Sequence, residues 1–387
     1  MKSLLVLILA ALVCAPLAVA QETLEIRNVE IDSQSPEGAV LTQAGIAEEE
    51  AERIGILEGF LNDYPESTYL GYVLLQLQGL YTQQQNWDQA ATVGERLVQY
   101  VPGDLEVRHN HNQALLNSQQ WPALRMSLAA TKPLADKDAS APPPEDPTED
   151  EEMIYESSVD YANGVIQYTE WAINVGIIQS PPAEQIQFMD ALKELYPESA
   201  YLEGIDAKYV LAYQQQGDIA GMVGALERAL ANNPGNYEYL FTLAELALGQ
   251  QDYETAIARS EELITFMEEQ PAPEGTAEEA WEATKTRFTA LGQFLTGSAH
   301  FQRGGNNNAW RTSRRHLLQS VDVVKAEGGE RYGMLSWMLG FCYVKLDIAG
   351  DNIRQATHWM GEAAKTPGPM QAQAAQTLEA IQKAANE

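Results

Sequence analysis

The side chains able to do chemistry are few, and their spacing suits little of it. Five histidines occur in 387 residues. His109 and His111 come closest to a metal pair, yet a spacing of two on a helix points them to different faces, whereas a spacing of four would align them. The chain contains no His-Glu-x-x-His signature, no phosphate-binding glycine loop and no serine-hydrolase elbow. Carboxylates are so abundant that pairs arise at every spacing by chance, so no glycosidase-type pair can be singled out. Cys342, between Phe341 and Tyr343 in an apolar helical stretch, reads as a packed thiol rather than a nucleophile. The expectation is a non-enzymatic protein with no metal and no cofactor.

One charged cluster stands above this background. From Lys285 to Lys325 the chain carries Arg287, Arg303, Arg311, Arg314, Arg315 and His316 against a lone Asp322. Spacings of three and four place Arg311 beside Arg314 and Arg315 on one side of a helix. Such a cluster could hold an anionic ligand through guanidinium forks, as in a solute-binding or transport-accessory protein. Equally, it could neutralise neighbouring acidic repeats.

The whole chain is strongly acidic, with 55 Asp and Glu against 24 Lys and Arg and a formal charge of −31. That balance favours solubility and argues against nucleic acid or anionic lipid as partners. Residues 1–20 have the anatomy of a cleavable leader: Lys2, an apolar run from Leu4 to Val13, and Ala18-Val19-Ala20 before Gln21. Cleavage after Ala20 would make the protein periplasmic or secreted. Lipid anchoring at Cys14 is disfavoured, because Val13 is bulky where a small residue is expected. Once the leader leaves, only Cys342 remains, and no internal disulfide can form. No later segment is long and apolar enough to span a membrane.

The organising elements emerge from repetition. The segment Tyr64-Pro65-Glu66-Ser67-Thr68-Tyr69-Leu70 recurs as Tyr196-Pro197-Glu198-Ser199-Ala200-Tyr201-Leu202, and the register holds without a gap for about eighty residues, Tyr81 falling on Tyr213 and Pro102-Gly103 on Pro234-Gly235. Helical periodicity begins near Gln43, and 69–83 with 87–100 read as two antiparallel helices joined by Gln84-Gln85-Asn86. Trp87 and Trp121, like Ile219 and Tyr253, stand 34 residues apart. Self-similarity at this period marks stacked helix pairs that bury their apolar faces on one another. The reading is a leader (1–20), a flexible arm (21–42), a first block (43–131), an acidic proline-rich linker (132–152), a second block (153–268) and a divergent third (269–387). The last block ends in a helix over 370–385 that caps the array.

These residues resemble the tetratricopeptide repeat family. With Trp87 at that family's aromatic seventeenth position, Tyr81 falls at the eleventh, Ala90 at the twentieth and Pro102 at the thirty-second. Tyr213, Ala229 and Pro234 fit in the later block, as do Leu243, Ala244, Tyr253 and Ala256, and then Leu339-Gly340, Tyr343, Ala356 and Pro367. Met222 departs from the usual alanine. The Tyr-Pro-Glu-Ser junction also resembles that of repeat proteins of bacterial envelope assembly. The resemblance implies an all-α, right-handed superhelical solenoid of six to eight helix pairs whose first helices line a concave, partner-binding groove. It places there Tyr72, Leu75 and Gln83, then His109, Asn110, Gln113 and Asn117, and later Gln214, Gln215, Phe241 and Glu245. Small residues, Ala90, Ala229 and Ala256 among them, would occupy the helix crossings. The implied function is a protein-interaction scaffold in the envelope that takes a peptide or helix of a protein partner.

Overall fold

A computed structural model describes residues 26–346 and 351–386, with side chains to Lys383. The leader expected over 1–20, with Cys14, lies outside the described residues. Two compact units divide the chain, Met1–Glu203 and Gly204–Glu387, rather than three blocks. The first contains α1 (Pro36–Ile46), α2 (Glu50–Asp63), α3 (Leu70–Gln83), α4 (Trp87–Tyr100), α5 (Leu105–Asn117), α6 (Trp121–Ala139), α7 (Glu149–Gln179) and α8 (Pro182–Leu195). The second contains α9 (Ile205–Gln216), α10 (Ile219–Asn232), α11 (Tyr237–Gly249), α12 (Tyr253–Glu269), α13 (Glu278–Arg303), α14 (Asn307–Glu327), α15 (Gly329–Lys345), α16 (Asn352–Lys365) and α17 (Gln371–Asn386). Among the described residues there is no strand, and the helices form eight successive pairs with α17 left over at the end.

A repeated turn makes four of the eight pairs. Between α3 and α4, α5 and α6, and α11 and α12, the chain reverses in three residues, the middle one left-handed: Gln85 (φ 55°), Gln119 (φ 57°) and Gln251 (φ 64°). Between α9 and α10 the equivalent residue is Gly217 (φ 70°). In every case the next amide reaches back five residues to a helix carbonyl: Asn86 to Tyr81 (2.8 Å), Gln120 to Leu115 (3.0 Å), Asp218 to Tyr213 (3.0 Å) and Asp252 to Ala247 (2.9 Å). This closes the carbonyls at the end of the first helix. Asn86, Asp218 and Asp252 then turn their side chains onto the first turn of the second helix as N-caps. So short a connection leaves only an antiparallel neighbour.

The internal duplication extends to helix boundaries. The first residues of α2, α4, α5 and α6 recur 132 positions later as those of α8, α10, α11 and α12. Tyr81 and Tyr213 both stand in the last turn of a first helix and supply the carbonyl that closes the turn. The exception is α9, which starts late because a 3-10 turn at Ala200–Leu202 and the left-handed Gly204 intervene.

Small residues set the helix spacing. Ala90 and Ala256 have no exposed surface and Ala229 is buried; Ala256 of α12 meets Ala247 of α11 and Ala299 of α13 in one cluster. The rest of the second unit's core is aliphatic and aromatic, with Phe294, Leu295, Phe301, Leu317, Leu335 and Leu339 in one continuous cluster. Cys342 belongs to it, fully buried and 3.7 Å from Ser313 Oγ, and burial pushes its thiol up to about 11, so it packs as a protonated side chain. The last helix covers Met360 and Ala363 of α16 with Ala374, Leu378 and Ile381, as expected of a cap.

Two expectations need correction. Residues 26–42 are not a flexible arm: α1 starts at Pro36 behind the N-cap Ser35, and Ile26 is buried. A Cβ on Gly71 would lie 2.5 Å from Ile26 Cγ2, so α3 carries no side chain where the incoming segment packs. Arg27 holds that segment in place through Asp104 (2.5 Å) and Glu106 (2.8 Å) at the start of α5. The reach of these long-range partners was invisible in local periodicity. The linker expected over 132–152 shrinks to residues 140–148. Its first part continues α6 through Pro133, whose ring is exposed, and its acidic run Glu149-Asp150-Glu151-Glu152 is the first turn of α7. Acids at that end meet the positive end of the helix dipole, and Thr148 with Glu151 forms a capping box. Like charge opposes helix in a chain interior but not at its N-terminus.

The turn geometry predicts that Gln85→Gly, Gln119→Gly and Gln251→Gly each stabilise the fold by about 0.5 kcal/mol, relief of a left-handed strain of about 1–2 kcal/mol outweighing the added flexibility. Gly217→Gln should cost about 1 kcal/mol by the same reasoning; urea melts check both signs. Overpacking predicts a loss of about 1–3 kcal/mol for Ala256→Leu, and a cavity predicts about 2–5 kcal/mol for Ile26→Ala. An Ile26→Ala melt like that of the parent would mean that the N-terminal segment is an arm after all.

Candidate interaction groove

The amphipathic pattern of α11 does two jobs. Leu240, Leu243, Ala244 and Ala247 are buried in the core, while Glu238, Phe241, Thr242, Glu245, Leu248 and Gly249, each three or four positions from another of the set, share the neighbouring face. The first helices of the next two pairs, α13 and α15, come alongside that face, and between them lie two cavities. The larger, about 520 Å³, has Leu248, Phe294, Leu295 and Met334 in its lining with Glu245, Glu330 and Arg331 around them. The smaller, about 250 Å³, is formed by Glu238, Phe241, Thr242, Arg287, Phe288, Leu291 and Arg331. Phe241 and Phe288 meet edge to face at 5.8 Å and fix its apolar wall.

Arg331 lines both cavities. It reaches Glu245 of α11 at 3.2 Å and Glu327 of α14 at 3.1 Å, and Arg287 of α13 bonds the other oxygen of Glu327 at 2.8 Å. Four charges from four helices thus form a chain along the groove. Burial raises Glu245 above the ordinary glutamate range against the pull of Arg331. Glu327 is held below that range, first by its hydrogen bond from Arg287 and then by the two guanidinium charges. The groove therefore presents an apolar floor under fixed, mostly internally matched charges.

The structure distributes the sequence-predicted groove residues unevenly. Phe241 and Glu245 line the cavities just described, and Gln214 and Gln215 are exposed near the end of α9. Tyr72 and Leu75 are half-buried on α3, and Gln83 is exposed at its end. On α5, Gln113 Nε2 donates to His109 Nε2 at 2.8 Å, Asn117 turns back to the Gln113 carbonyl at 2.7 Å, and Asn110 is half-buried. His109 does not face an open groove: the 31-residue α7 covers it, Tyr168 lying edge-on at 4.6 Å and Tyr161 at 6.1 Å. His111 turns the other way, buried near Gly94 of α4, and burial with the Arg108 charge pushes it down to about 4. The two rings face different helices.

The arginine cluster also separates. Arg314 lies over the Tyr343 ring at 5.0 Å, Arg315 turns to His316, and Arg311 is exposed. Neutralisation by acidic neighbours holds for Lys285, Arg287 and Lys325, which pair with Glu282, Glu327 and Glu362. Among the described residues, Arg311, Arg314 and Arg315 make no ion pair. Arg331 and Met334 were missed by sequence reasoning. The bond from Arg331 to Glu245 spans 86 positions, although the three-and-four stripe on α11 was readable.

No protein-family profile and no curated protein sequence matches the chain. Similar solved structures include yeast Tom70, with a TM-score of 0.37 and 10% identity over 92% of this chain and 97% of that one. Another is the P58(IPK) TPR domain, with a TM-score of 0.27 and 11% identity over 86% and 84%.

The lowered carboxyl of Glu327 makes a pH prediction with a definite sign. Its ionised form is favoured by folding, so its contribution is present above the unfolded value of about 4.3 and is lost as pH falls through the lower folded value. Glu327→Gln should lower the melting temperature at pH 7 by roughly 2 °C, in keeping with a partly exposed pair worth under about 1 kcal/mol. At pH 3 the variant and the parent should melt closer together. A gap that widens on acidification would contradict the assignment.

Proposed function

We propose that the protein is a non-enzymatic interaction scaffold of the cell envelope, exported by its leader, which holds a segment of a protein partner in the groove along α11, α13 and α15. The observation that carries this reading is the pair of adjoining cavities whose apolar floor is continuous with the core of the second unit. Partly buried apolar side chains on a rigid support, rimmed by charge, are the composition of a binding hot spot rather than of a catalytic site. The stripe from Glu238 to Gly249 on α11 runs for about 16 Å at 1.5 Å per residue. That length accepts about five residues of extended chain or three turns of helix. The leader read in residues 1–20 supports the envelope setting, and the acid excess makes nucleic acid an unfavourable partner.

Purification from chemically crosslinked envelopes tests the proposal. Leu248→Ala combined with Met334→Ala should reduce partner recovery at least tenfold, as loss of apolar hot-spot contacts of about 1.4 kcal/mol or more would. Tyr72→Ala combined with Asn110→Ala should leave recovery near the parent level. The reverse pattern, with both double variants folded, would move the binding surface to α3 and α5.

A further inference from the structure

A second site lies where α13 and α14 approach each other. A Cβ on Gly297 of α13 would stand 2.8 Å from Leu317 Cγ of α14, so the two helices meet with no side chain at that point. The approach gathers four nitrogen-bearing side chains. Arg303 Nη2 donates to His300 Nδ1 at 3.2 Å, and Arg315 Nη2 donates to His316 Nε2 at 3.2 Å. The two imidazoles stack at 6.1 Å with an interplanar angle of 16°. Gln293 fixes the tautomer of His316: its Oε1 accepts from Nδ1–H at 2.5 Å, which leaves Nε2 to accept from Arg315. In the same way, acceptance at Nδ1 leaves His300 with an Nε2–H donor.

Among the described residues neither Arg303 nor Arg315 forms an ion pair, whereas Lys285, Arg287 and Lys325 nearby in sequence all do. Burial lowers both imidazoles below their ordinary range, followed by the charges of Arg303 and Arg315 at His300 and of Arg315 and His300 at His316. In a chain with 55 acidic and 24 basic residues, two guanidinium groups that flank a stacked imidazole pair, without an ion pair among the described residues, leave a counter-charge to be supplied from outside. Each guanidinium carries five N–H donors and gives one to an imidazole, so most of both forks stay available. A fork matches two oxygens of an oxyanion.

We propose that Arg303, His300 and Arg315, with His316 holding Arg315 in place, form a binding site for a tetrahedral oxyanion of the phosphate or sulfate class. The proposal stands independently of the α11–α13–α15 groove.

The test titrates the full chain with sodium sulfate and with inorganic phosphate, against sodium chloride at equal ionic strength and against glutarate as a dicarboxylate. Imidazole NMR signals and the melting temperature are followed. Saturable shifts of the His300 and His316 signals are expected with sulfate and phosphate, together with a rise in melting temperature, since a ligand bound only by the folded state stabilises it. The signals of His109, His111 and His358 should stay in place. Arg303→Gln with Arg315→Gln, both exposed positions, should weaken the response at least tenfold without loss of fold; Arg311→Gln should leave it intact. A chloride response equal to that of sulfate, or a sulfate response that survives the double substitution, overturns the site. Glutarate binding as tightly as sulfate overturns the tetrahedral class.

Discussion

Half of the helix pairs, α3–α4, α5–α6, α9–α10 and α11–α12, depend on one tight reversal: two helices joined by two or three residues, of which one is left-handed and the next stands at the N-cap of the following helix. The amide that reaches back to Tyr81, Leu115, Tyr213 or Ala247 is the same hydrogen bond made four times. Because each reversal fixes the partner and direction of its second helix, the chain needs no long-range instruction to form a pair. It needs only a surface on each pair that suits the next one. Small residues at the crossings, such as Ala256 between Ala247 and Ala299, supply that surface by letting the backbones come close.

The candidate groove follows from the same arrangement. A helix that pairs within its own repeat and also touches the next pair has two faces committed to packing and one left over. On α11 that remaining stripe carries Glu238, Phe241, Glu245 and Leu248, and α13 and α15 bring Phe294, Arg331 and Met334 against it. In the first unit the corresponding opportunity is largely closed at α5, because α7 is long and lays Tyr161 and Tyr168 over His109. Equivalent helices therefore differ in what remains accessible, and the difference is set by the neighbour.

This explains what could be read in the sequence. Pair boundaries, the duplication at an offset of 132 residues, the crossing alanine Ala256 and the buried thiol were legible, since each depends on residues close in sequence or on a repeat visible in it. The fate of residues 26–35 was not, because Ile26 and Arg27 are held by Gly71, Asp104 and Glu106, far along the chain. The acidic run at 149–152 misled for a related reason: charge that destabilises a helix interior stabilises its first turn, and local composition does not say where the turn is. At the site, the sequence picked out Phe241 and Glu245 but not Arg331, whose partners come from α11 and α14. It picked out Arg315 but not the pairing of His300 with His316 across α13 and α14.

The proposed partner site lies on α11, α13 and α15. Placing a photoreactive amino acid at single positions in the living cell and irradiating measures this directly. Adducts of one size from positions 248 and 334, with none from 72 or 110, are the predicted result. Adducts from 72 and 110 alone would contradict the account and assign the interaction to the first unit.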